Sequence, residues 1–511
     1  MRSAIKPHIK DVYIPSKPIA LTAEKEIEFG CSLPDYSPDI LAIIRAECIP
    51  TVESVKASAG KCIVDGRAEF RLLYATGYNG KTRSAAFVKQ FSHAFDYPSG
   101  LTDAICRATA ETASVTCKLS DVRSPLFKAG LIVKCSVQGN DRIKCVDTDG
   151  SSGYYFKTKE ISLRRTAAPS ATSAELTGEI LLGRGDMPAS EIISHSVSLQ
   201  PPRITVQQNG VSLRSDANIA VIYETESGTT AAVTRSMPVA VDIDCDKGDA
   251  AEPECEVAVG ASSVILAPDN YGENRLFKVK LNINGKVYPA KVEAVSLAAD
   301  MFSEGNRTQC EESKMCYIAD ESIFTKTFSL DMRLNPAEPL EASLCSKAEF
   351  HGVSAMPVDG GVRISGVCCA EVLGTSEHGI ASAEQCDSFE QLSVIDTADC
   401  EITGVSLCPL DVQANMLSDG TISIRITYEA KIFCCKTAET SFVVGVTNEE
   451  PVAATDSEMT AAYYFQSQTD DLWSIAKQYA TDPAAIREQN TNAFDADGSI
   501  TAGTPYVYIK L

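Results

Sequence analysis

GKCIVDGRAEFRLLYAT, residues 60 to 76, decides how this chain folds. Cys62, Val64, Gly66, Ala68, Phe70, Leu72 and Tyr74 occupy every second position. Successive side chains of a strand point to opposite faces, so this spacing predicts a strand with one buried face. The pattern returns in NGVSLRSDANIAVIYET through Val211, Leu213, Ala217, Ile219, Val221 and Tyr223. It returns again in GGVRISGVCCAEVLGT through Val362, Ile364, Gly366, Cys368, Ala370 and Val372. Gly60 to Asn209 is 149 residues, and Asn209 to Gly360 is 151. A second landmark keeps the register: Cys106, Cys255 and Cys400 each open a further apolar run and lie 149 and then 145 residues apart. A period of roughly 150 residues is far too long for a solenoid unit, so each copy must bury a core of its own.

The expected fold class is therefore mainly β: three repeated antiparallel β-rich, sandwich-like domains followed by a small strand-helix-helix-strand module. Residues 1–24 form an N-terminal segment, and the three domains cover 25–165, 172–302 and 322–447. An acidic linker at 448–461 leads to the terminal module at 462–511. TAAPSATSAE (166–175) and SEGNRTQCEESKMCYIADE (303–321) read as linkers, and VTNEEPVAATDSEMTAA (446–462) as a flexible tether that lets the module move independently. In LPDYSPDILAII (33–44), Asp35 and Asp39 stand beside Pro34 and Pro38, where aspartate makes turns and caps; the spacing predicts a helix beginning in ILAIIRAE.

A formal net charge of −22 over 511 residues repels phosphate backbones and anionic lipid, which argues against nucleic acid and membrane insertion and for a protein partner. No apolar stretch resembles a secretory h-region or a membrane span. The 19 cysteines include no C-x-x-C spacing, and adjacent pairs such as Cys368-Cys369 and Cys434-Cys435 point to opposite faces of a strand. They are expected to be reduced, metal-free thiols serving as small core hydrophobes, with cross-linking late in an assembly as the alternative. His8, His93, His195, His351 and His378 make no H-E-x-x-H motif. There is no nucleophile elbow or phosphate loop, and LLGRGDMP reads as a turn, so neither an enzyme nor a cofactor is expected.

The terminal module begins with YYFQSQTDDLWSIAKQY (463–479), in which Leu472, Ile475, Ala476 and Tyr479 fall at helical spacing. Asp482 followed by Pro483 opens a second helix, with proline at the position where its missing amide costs nothing. Trp473, the only tryptophan, is either core or a partly exposed anchor, and Asp471 reads as an exposed first-turn charge. Through Asp470, Leu472, Trp473, Ile475, Ala476, Tyr479, Asn490 and Gly503 the module resembles a LysM domain, a βααβ unit that commonly binds N-acetylglucosamine polymers. It departs where the family's Gly-Asp reads Thr469-Asp470, putting a β-branched side chain in the loop that approaches the sugar.

Upstream, the LPDYSPDILAII lead-in and strand hairpin resemble the SPOCS domain of sporulating Firmicutes, with fainter echoes in DMPASEII and EPLEA. Three such copies and one LysM domain are similar to the SipL-type spore-coat morphogenesis proteins. That resemblance implies an adaptor in the mother-cell cytoplasm at the forespore surface, whose LysM domain meets a coat morphogenetic ATPase. The contact would fall on Thr469, Asp470, Asp471, Leu472, Trp473, Pro483 and Asn490. The alternative partner for the same residues is peptidoglycan or cortex.

Overall fold

The computed structural model describes residues 6–58, 60–77, 81–245, 253–304, 306–395, 400–451, 460–463 and 471–510. Strand accounts for 76% of it and helix for 3%, so the protein is mainly β. The first repeat contains β1 (Ile9–Pro15), β2 (Ile19–Gly30), β3 (Ile40–Ser58), β4 (Lys61–Thr76), β5 (Thr82–Asp96), β6 (Thr102–Asp121) and β7 (Ser124–Val146). β8 (Tyr154–Thr166) leads into β9 (Ser170–Leu181), β10 (Ala189–Leu199), β11 (Arg203–Gln207), β12 (Gly210–Thr225), β13 (Thr230–Asp244), β14 (Glu254–Ala267), β15 (Leu276–Tyr288) and β16 (Ala290–Ser303). The third set is β17 (Asn306–Leu334), β18 (Ala342–Val358), β19 (Gly361–Ser376), β20 (Gly379–Ser393), β21 (Glu401–Met416) and β22 (Ile422–Pro451).

Each set builds two antiparallel sheets around one core. In the first, β3-β4-β5 faces β2-β7-β6. In the second, β12 lies between β10 with β11 on one side and β13 on the other, and this sheet faces β9-β15-β14. In the third, β18-β19-β20 faces β17-β22-β21. An aromatic pair crosses each core: Phe70 and Phe127 at 5.0 Å, Tyr223 and Phe277 at 5.3 Å, and Phe350 and Tyr428 at 4.7 Å between ring centroids. Cys62, Val64, Ala68, Phe70, Leu72 and Tyr74 are all buried, as a period of two requires.

Three features differ from the expectations above. ILAIIRAE is strand, not helix: β3 pairs with β4 from Ile40 opposite Thr76, with bulges between Ile40 and Ala42 and between Ile43 and Arg45. Those bulges shift the side-chain alternation and disguise the strand period. The 303–321 stretch is not a linker, because β17 runs from Asn306 and pairs with the far end of β22, Asn306 standing opposite Pro451. That pairing also makes the start of the supposed tether strand. Finally, Cys369 and Cys386, opposite each other on β19 and β20, form a disulfide, while the adjacent Cys368 is buried in the third core.

Beyond the sandwiches, β1 with the end of β7, β8 with β16, and the outer halves of β17 and β22 make three antiparallel ribbons. Their apolar faces meet through Ile14, Cys145, Ile161, Leu163, Leu297 and Phe442. The repeats also touch directly. Leu73, Ile222 and Leu373, which are equivalent by the 149- and 151-residue spacings, are buried in one cluster with Ile193 and Ile380. The repeats therefore surround a pseudo-threefold axis. Ion pairs flank it: Arg45 to Glu371 at 2.8 Å and Lys347 to Glu47 at 2.6 Å join the first and third repeats, and Lys81 to Glu224 at 2.7 Å and Arg83 to Glu191 at 2.8 Å join the first and second.

Candidate functional site

After Pro451 the described chain resumes with β23 (Thr460–Tyr463), α1 (Leu472–Tyr479), α2 (Pro483–Gln489) and β24 (Val507–Lys510), and the two short strands pair antiparallel. Asp471 is the N-cap of α1. The Ser474 amide donates to its Oδ1 at 2.7 Å, and the Asp471 amide donates to Ser474 Oγ at 2.9 Å, a reciprocal capping box. Asp482 caps α2, accepting from the Ala484 amide at 2.8 Å, with Pro483 in the first turn. Leu472, Ile475, Ala476, Ile486, Val507 and Ile509 form the module's core. Asn490 is buried and ties α2 to β24: its Nδ2 donates to Ile486 O at 2.8 Å and Tyr508 O at 2.7 Å, and its Oδ1 accepts from the Tyr508 amide at 2.8 Å.

The module does not hang free of the repeats. Trp473 packs edge-on against Phe302 of β16 at 5.1 Å between centroids, and Phe302 stacks in turn on Tyr155 of β8 at 5.2 Å. The Trp473 indole Nε1 donates to Asp300 Oδ2 at 2.8 Å, and Lys477 pairs with the other oxygen of the same carboxylate. Lys157 of β8 lies 3.3 Å from Asp471. Burial pushes the Asp300 carboxyl up, but the Lys477 and Trp473 donors outweigh it and hold the group below its usual range. Asp471 and Trp473 thus come together on the face that meets the β8–β16 ribbon. Leu472 and Asn490 turn inward, Pro483 starts α2, and Thr469 and Asp470 lie outside the described residues. Asp471 is half-buried and committed to a cap and an ion pair, which corrects its reading as an exposed first-turn charge.

A second polar centre escapes sequence reasoning. A cavity of about 680 Å³ lies where the three repeats meet the ribbons, lined by Arg107, Arg164, Glu254, Glu256, Tyr288 and Glu321 among others. The Arg107 guanidinium stands 4.0 Å from the Tyr288 ring centroid and pairs with Glu254. The Tyr288 hydroxyl donates to Glu256 Oε2 at 3.3 Å, and Arg164 pairs with Glu321 at 3.2 Å. Burial pushes the Glu256 and Glu321 carboxyls above their usual range. The signal available in the sequence is the charge flanking the repeated cysteine: Arg107 follows Cys106, and Glu254 and Glu256 bracket Cys255. A period of two assigns those positions to an outer face, which the neighbouring repeat covers.

Residues 39–120 match the family described as SipL, SPOCS domain. The matched span takes in β3, β4, β5 and nearly all of β6, the whole of one sheet of the first sandwich and the edge strand of the other. The match shows a likeness to that domain over 82 of the 511 residues. No curated protein and no solved structure matches the chain. Among the described residues, no helix is long and apolar enough to cross a membrane.

Proposed function

We propose that this protein is a non-enzymatic adaptor in endospore coat assembly, working in the mother-cell cytoplasm at the forespore surface. The observation that carries the reading is the match of residues 39–120 to the SipL SPOCS domain. The three repeats supply an acidic scaffold, and the C-terminal module, taken as LysM-like, docks onto a coat morphogenetic ATPase. Its docking surface is composite: Asp471 and Trp473 sit beside the β8–β16 ribbon, so the partner meets the helix start and the ribbon together. Support for a protein rather than a glycan partner comes from Thr469, whose β-branched side chain stands where close backbone approach to a sugar favours glycine.

The test is capture of coat proteins from sporulating cells by full-length protein and by a form ending at Pro451, alongside sedimentation with insoluble peptidoglycan. The expected result is coat-protein capture by the full chain, its loss in the truncated form, and no sedimentation. Full capture without the module, or tight binding of the module to N-acetylglucosamine oligomers, would overturn the division of labour proposed.

A further inference from the structure

Three thiols converge inside the first sandwich. Cys62 of β4, Cys106 of β6 and Cys135 of β7 come from both sheets, and their sulfur atoms all lie within 4.8 Å of one another. Cys62 Sγ and Cys135 Sγ are 3.4 Å apart. Metal–sulfur bonds of about 2.3 Å place the sulfurs of one coordination shell roughly 3.8 Å apart, so the trio needs only small adjustments to close on one ion. Packing alone does not call for a thiol at each position. At the spacings of 149 and 151 residues, Cys62 becomes Val211 and Val362, both fully buried, while Cys106 recurs as Cys255 and Cys400 at spacings of 149 and 145. Valine therefore fills the same place in two sandwiches, and only the first repeat completes a trio.

We propose that Cys62, Cys106 and Cys135 form a three-sulfur site for a thiophilic closed-shell cation of the Cu(I) class. Among the described residues, no fourth histidine, cysteine, aspartate or glutamate joins the group, which disfavours a structural zinc needing four protein ligands. Soft thiolates select soft cations, and Cu(I) accepts three sulfurs without a fourth donor. Cys62 and Cys135 are sealed in the core, whereas Cys106 is 9% exposed on β6, an edge strand of its sheet, and marks the route by which an ion enters. Each thiol that becomes a ligand releases one proton, and no electron changes hands.

The test uses full-length reduced protein under anaerobic conditions, titrated with Cu(I) against a competing chelator and, as a spectroscopic stand-in, with Cd(II). Wild type is compared with Cys62→Val, which installs the residue the other repeats use, and with Cys106→Val. One equivalent of tight metal is expected in wild type, with a sulfur-to-metal charge-transfer band and a raised melting temperature. Each variant should keep the wild-type circular dichroism and bind at least tenfold more weakly. Equal affinity in the variants would place the metal on other thiols and overturn the proposal. So would wild type that binds no equivalent with all three thiols free, or a Cys62–Cys135 disulfide found in anaerobically prepared protein.

Discussion

Trp473 Nε1 donates to Asp300 Oδ2 at 2.8 Å, joining the first helix of the C-terminal module to the ribbon that closes the second repeat. The same carboxylate takes the Lys477 ammonium, so one residue of β16 satisfies two donors of α1. A tail that reads as tethered loosely by its sequence is thereby seated on a specific site.

Asp300→Ala leaves the indole N–H without its acceptor and the Lys477 cation without its partner. The expected cost to docking is about 1–3 kcal/mol. Trp473 is the only tryptophan, so intrinsic fluorescence reports this contact alone. The variant should show a red-shifted emission and faster proteolysis between the third repeat and α1, with the repeats' own unfolding unchanged. An emission spectrum identical to wild type would show that Phe302 and Tyr155 hold the module unaided.

The pH dependence follows from the same carboxylate. Its folded value lies below the ordinary 3.8, because Lys477 and Trp473 outweigh the burial that pushes it up. The charged form is favoured in the docked state, so the stabilisation is complete above that ordinary value and is lost as pH falls through the lower folded value. Trp473 emission should stay constant from neutral pH to about 5 and shift only in stronger acid. Asp300→Asn should flatten that acid limb.

The axial cluster predicts cooperative unfolding. Leu73 and Leu373 are 5% and 2% exposed where the repeats meet, and truncating such a side chain to alanine costs about 2–5 kcal/mol. Leu373→Ala should lower the melting of all three repeats together in scanning calorimetry. A shift confined to one of several separate transitions would mean that the repeats fold independently.

Burial also sets thiol reactivity. It pushes Cys48 up to about 11 and Cys255 and Cys368 up to about 12, so little thiolate is present at neutral pH. Cys316 is exposed and should alkylate first in native protein. In denaturant without reductant, 17 cysteines should react and the Cys369–Cys386 pair should not. Peptide mapping of the labelled protein checks both the order and the count.

What could be read from the residues was periodic and local. Alternation from Cys62 to Tyr74 marked β4 and its buried face, the 149- and 151-residue spacings marked three copies of one pattern, and the Asp482-Pro483 step marked the start of α2. These features depend on the geometry of a single strand or helix turn, which neighbouring residues determine. The tertiary structure decided everything that needs a distant partner. It made ILAIIRAE a strand because β4 lies beside it, and 306–321 a ribbon because β22 returns to pair with it. It also chose what covers each strand's second face. Arg107, Glu254 and Glu256 occupy positions that alternation assigns to solvent, yet the pseudo-threefold packing closes over them and pairs their charges. Trp473 shows the same limit: an aromatic ring at a helix start suits a core or an anchor equally, and only the arrival of Asp300 and Phe302 from a segment some 170 residues away settles its neighbours. Period fixes which side chains share a face, whereas burial of that face depends on contacts between segments far apart in the chain.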